Sequence, residues 1–77
     1  MGLRFTQAAR KHRVGRASAR HAMANTIPEP ITTSRGDQGW LYIGADERGR
    51  ELEIIAVELA DGDLLVVHVM PTAHRRK

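Results

Sequence analysis

The sequence predicts an α+β domain in which two short N-terminal helices pack on one face of a three- to four-stranded antiparallel sheet. Three observations lead there. Apolar residues recur at helical spacing through residues 4–26, prolines interrupt the chain at Pro28 and Pro30, and residues 31–70 read as strands joined by glycine-containing turns. At 77 residues the chain is read as a single domain with a small core, and residues 71–77 as a basic tail.

The first helix is expected in RFTQAARKHR, where Phe5, Ala8, Ala9 and His12 stand at i, i+3, i+4 and i+7, with Thr6 or a neighbour at its start and Gly15 at its end. The second is expected in RASARHAMANTI, where Ala19, Ala22, Met23 and Ile27 make one stripe and Arg16 and Arg20, four apart, lie on another side. Both stripes are mostly alanine, so each helix can approach a sheet closely but buries little by itself. Pro28-Glu29-Pro30 reads as a connector, because proline lacks an N–H and restricts the residue before it.

ITTS (residues 31–34) is β-branched and suits a short edge strand, with RGDQG as the turn after it. WLYIGAD, ELEIIAVEL and LLVVHVM then form an antiparallel meander through the turns ERGR and ADGD. In the middle strand both faces are largely apolar, which makes it central and covered at least in part on both sides. In the last strand Leu65, Val67 and Val69 share one face, while Leu64, Val66, His68 and Met70 share the other.

The absence of cysteine rules out disulfides, and the four histidines show no metal-ligand spacing, so neither a metal site nor a cofactor is expected. No apolar run reaches the length of a signal peptide or a membrane span, and a cytoplasmic protein with no membrane partner is the expectation. The net charge of +3 hides a segregation. Residues 1–35 carry seven Arg and Lys against one Glu, residues 36–63 carry two Arg against eight acids, and residues 64–77 carry Arg75, Arg76 and Lys77 without an acid. If the two basic ends meet in space they make a surface for a phosphate backbone; otherwise they are a solvated helix face and a tail.

No glycine-rich phosphate loop, HExxH, GxSxG or cysteine nucleophile is present, which removes most enzyme classes. One chemistry suits a protein supplied chiefly with Arg, Lys and His. Cleavage of RNA by its own 2′-hydroxyl needs a base, an acid for the leaving 5′-oxygen and cations for the phosphorane-like transition state. His68, His74, Arg75 and Arg76 are the catalytic candidates. Lys11, His12, Arg16, Arg20 and Lys77 are candidates for holding the RNA backbone, and Trp40 and Tyr42, two apart on a strand, for stacking a base. The same residues also have plain structural roles open to them: a strand histidine as a packing residue, Trp40 as core, and Glu51 and Glu53 as solvated strand residues.

The stretches KHRVGRASARHAM, WLYIGADERGRELEIIAVE and DLLVVHVMPTAHRRK together resemble the BrnT-like and related RelE-superfamily toxins of bacterial type II toxin–antitoxin systems, over nearly the whole chain. The resemblance implies a RelE-like fold, a metal-independent endoribonuclease acting on mRNA with ribosomes nearby, and a cognate antitoxin over the active surface. Arg75 and Arg76 match arginines that follow the last strand in such chains, whereas Pro71-Thr72 stands where an Arg-Lys pair is expected. The alternative is a module of the same fold that binds RNA or a protein without catalysis.

Overall fold

The computed structural model describes residues 2–10 and 12–73. Five of the candidate site residues, Lys11, His74, Arg75, Arg76 and Lys77, lie outside the described residues. The elements are β1 (Leu3–Phe5), a 3-10 turn (Ala8–Arg10), α1 (Arg16–Ala24), β2 (Glu29–Thr32), β3 (Gln38–Ala45), β4 (Glu51–Glu58) and β5 (Leu64–Pro71). The strands form one five-stranded sheet in the order β1-β5-β4-β3-β2, antiparallel except for β1, which runs parallel to β5.

This corrects the expected fold class. The molecule is a five-stranded mixed sheet with a single α-helix, not two helices on a three- to four-stranded antiparallel sheet. The difference lies in the first segment, where the helical stripe of the sequence runs across residues that form a strand and one tight turn. Strand pairing places Leu3 and Phe5 beside Leu64 and Val66, and both side chains pack against the core. Arg4 points away and pairs with Asp61 and Asp63, each at 3.2 Å. Asp63 also accepts from the Gly2 N–H at 2.7 Å, and the Leu64 N–H donates to the Gly2 carbonyl at 3.0 Å. A helix built on alanines has no comparable tertiary contacts to offset its nucleation cost. The chain then turns at Thr6, whose hydroxyl accepts from the Ala9 N–H at 3.1 Å, and Ala9 enters the core.

The second segment forms a helix as the sequence predicts, but the helix ends at Ala24, and Ile27, expected on its apolar stripe, lies beyond it and is 90% exposed. Ala19 and Ala22 are fully buried against β3 and β4, and their small side chains let the backbones approach. The approach is close at Gly44 of β3, where a Cβ atom would stand 2.6 Å from the Ala22 carbonyl oxygen. β2 begins at Glu29, so the expected connector contributes to the edge strand; Pro30 is tolerated because an edge leaves one side of the strand without a ladder partner. The turns at Gly36, Gly49 and Gly62 all use positive φ (+88°, +78° and +89°), as the turn residues implied.

One face of the sheet, with α1 and the 3-10 turn, holds the whole core. Leu52, Ile54, Ala56, Val66 and Val69 are sealed there, and each fully buried Leu, Ile or Val contributes roughly 1.5–3 kcal/mol. The other face carries Leu41, Ile43, Ile55, Val57, Leu65 and Met70, all half-buried, and no helix lies over it among the described residues. β4 is central as expected, but it is covered by a helix on one side only. No helix of the described residues is long and apolar enough to cross a membrane.

Candidate functional site

β5 carries a bulge where it pairs with β4. Ile55 lies opposite His68 and the next residue, Ala56, lies opposite Val66, so Val67 is an extra residue in the ladder. Strict alternation groups His68 with Val66, which is buried on the helix side. The bulge resets the parity, so that Val69 and Pro71 return to the core and His68 joins Ile55 and Met70 on the open face.

There His68 meets Glu53. The imidazole Nε2 lies 3.1 Å from Glu53 Oε1, with side chains 33% and 14% exposed. In register Glu53 stands opposite Met70 and His68 opposite Ile55, so the pair is a diagonal cross-strand contact, within reach of long side chains. A carboxylate only accepts, so in the neutral imidazole this contact places the proton on Nε2 and leaves Nδ1 as the acceptor. Beside them the Thr72 hydroxyl donates to Glu51 Oε1 at 2.7 Å. This corner of the open face therefore holds an oriented imidazole, two carboxylates and a hydroxyl on an apolar floor. His68 is legible in the sequence as a candidate, whereas Glu53 reads there as a solvated strand residue. The diagonal register that joins them depends on the bulge, which leaves no signal in the residue pattern.

Arg16 and Arg20 are exposed on α1, on the sheet side opposite His68. Arg16 lines a pocket of about 350 Å³ with Arg10, Arg13, Val14 and Gly15. Sequence reasoning misses Arg10 and Arg13; Arg13 is turned into the pocket region by a left-handed backbone (φ +59°) after a turn closed by its N–H on the Arg10 carbonyl. The helix has no acidic residue in its first turn, and Gly15 at its N-cap supplies no side-chain acceptor, so the positive end of the helix adds to the arginines. Arg10, Arg13 and Arg20 pair with no carboxylate among the described residues. His12 is half-buried between the 3-10 turn and α1.

Trp40 and Tyr42 do not flank His68. Their register partners Ala56 and Ile54 belong to the helix-covered side, where Tyr42 is buried in the core and Trp40 packs half-buried against it. With Pro28, Glu58, Gly62 and Leu64 they frame a cleft of about 300 Å³ beyond the part of the sheet that α1 covers. Burial pushes the Tyr42 phenol above its ordinary pKa, so it is a neutral hydroxyl at physiological pH. The sequence's candidates thus fall on separate surfaces: His68 on the open face, the arginines at the start of α1, and the aromatic pair in a cleft of its own.

No protein-family model, curated protein or solved structure matches the chain.

Proposed function

We propose that this chain is a bacterial toxin of toxin–antitoxin type, a metal-independent endoribonuclease that works in the cytoplasm with the open sheet face toward its RNA. The His68–Glu53 pair on that face is the observation that carries the reading. Glu53 holds the imidazole in one tautomer, and His68 Nδ1 takes the proton of an RNA 2′-hydroxyl. The 2′-oxygen attacks the adjacent phosphorus, the P–O5′ bond breaks, and a second acid returns a proton to the 5′-oxygen. The products are a 2′,3′-cyclic phosphate and a free 5′-hydroxyl. His74 is assigned as that acid, and Arg75 and Arg76, which follow it in the sequence, as the cations for the phosphorane-like state. The half-buried apolar side chains around the pair suit an antitoxin that covers the face when the toxin is silenced.

The test is induced expression in a bacterial host, with growth and mRNA integrity followed together, for the native chain and for His68→Ala, Glu53→Gln and an Arg75/Arg76 double alanine variant. Arrest with mRNA loss that the His68 and arginine variants abolish supports the reading; normal growth with intact mRNA defeats it. Fragmentation of purified RNA should persist in a chelator.

A second reading, an RNA-binding module without catalysis, is favoured by the arginine pocket at the start of α1. It predicts salt-dependent protection of RNA and no fragments.

A further inference from the structure

The cleft between β3 and the β4–β5 turn is built of six residues, and three of them bring polar groups with no partner among the described residues. Tyr42 is only 8% exposed, yet its hydroxyl makes no hydrogen bond to a described residue. No sealed side-chain oxygen or nitrogen among the described residues lacks a partner, so that hydroxyl reaches the cleft surface. The Glu58 carboxylate and the Trp40 indole N–H likewise have no partner among the described residues. Tyr42 is thus a buried ring whose hydroxyl opens into a cleft of about 300 Å³ beside an unpaired carboxylate, two acceptors that one ligand donor group can reach together.

The charge around it decides which donor. Glu58 lines the cleft, and Asp61 and Asp63 flank Gly62 with one cation, Arg4, shared between them. That corner is net negative and repels a phosphate backbone, while it attracts a cation. Trp40 offers the aromatic face best suited to a cation, and Pro28 and Leu64 offer apolar wall for an alkyl stem. A guanidinium satisfies all of these at once: it is planar, it stacks on an indole, and its fork of N–H donors can reach both a carboxylate and a phenol oxygen.

We propose that this cleft is a docking site for an arginine side chain presented by a protein partner, stacked on Trp40 and held by Glu58 and the Tyr42 hydroxyl. It is independent of the nuclease reading, since it lies on the other side of the sheet from His68.

Trp40 is the only tryptophan in the chain, so its emission reports the cleft directly. The full chain is titrated with acetyl-Gly-Arg-Gly-amide, with the lysine and citrulline counterparts, and with adenosine, guanosine and cytidine. A saturable change in emission with the arginine peptide is expected, weaker with lysine and absent with neutral citrulline, and weakened by added salt. Affinity should fall about tenfold in Glu58→Gln and several-fold in Tyr42→Phe, with circular dichroism unchanged. Equal binding of arginine and citrulline peptides, or no saturable change with arginine, overturns the proposal. Saturation by a nucleoside in place of the peptide also overturns it, and makes the cleft a base pocket. The peptide comparison uses the native chain, so it decides the matter even if a variant fails to fold.

Discussion

Asp46 sits in the β3–β4 turn at 3% exposure, and the turn is organised around it. Its burial opposes the charge, but the Arg50 and Arg48 N–H groups donate to Oδ1, both at 2.9 Å, and Arg50 Nε reaches Oδ2 at 3.1 Å. Together these outweigh burial and hold its pKa below the usual value. A carboxyl with a lowered folded-state pKa adds stability above its unfolded value, about 3.9, and loses it as pH falls through the lower folded one. Asp46→Asn is therefore expected to be less stable than the native chain at neutral pH. The gap should close below about pH 4, as followed by urea unfolding across pH. Gly44 makes a second residue-scale prediction. A methyl there meets the Ala22 carbonyl oxygen at 2.6 Å and Thr26 Cγ2 at 3.0 Å, so Gly44→Ala should destabilise by about 1–3 kcal/mol by pushing α1 off the sheet. At Gly36, by contrast, the space is open and the cost of alanine comes from φ alone.

At the scale of elements, β5 shows how one extra residue can choose the surface on which a side chain works. Val67 lets Leu64 and Val66 before it and Val69 and Pro71 after it all face the core, and it sends His68 outward to Glu53. Deleting Val67 restores strict alternation, and one half of the strand must then surrender its buried side chains. We expect a loss of more than about 3 kcal/mol, or no cooperative unfolding transition in urea. β1 contributes differently: only three residues long, it ties the N-terminal segment to β5 and leads into the turn that buries Ala9. Its parallel pairing joins residues about sixty positions apart, a contact that a local pattern does not display.

For the whole molecule, the charge segregation seen in the sequence has a spatial form. Arg10, Arg13 and Arg16 gather at the start of α1, Glu51 and Glu53 lie on the open face, and Glu58 lines the aromatic cleft, with Asp61 and Asp63 on either side of its Gly62. Binding of single-stranded RNA through the arginine pocket should weaken with salt. Replacing Arg10 and Arg13 with alanine should lower the slope of log affinity against log salt by about 0.7 for each phosphate that an arginine no longer neutralises, measured by fluorescence anisotropy. If the slope is unchanged, the pocket takes no part in RNA binding. The same titration with Glu58→Gln should show no loss, because the cleft disfavours phosphate.

By itself the sequence determined the local elements whose signals were short-range and strong: α1 from the spacing of Ala19, Ala22 and Met23, the three long strands, and the positive-φ glycines of their turns. It also named His68, Trp40, Tyr42 and the basic N-terminal segment as candidate site residues. Only the tertiary structure decided that Leu3–Phe5 is a strand, since its stabilisation comes from a partner strand far along the chain rather than from its own periodicity. Only the tertiary structure joined His68 to Glu53 and parted it from Trp40, Arg16 and Arg20, because a bulge in β5 changes which face a residue occupies without changing which residues are present. Alternation separates the two faces of a strand; packing against a helix names them, and here a single unpaired valine exchanged them part-way along.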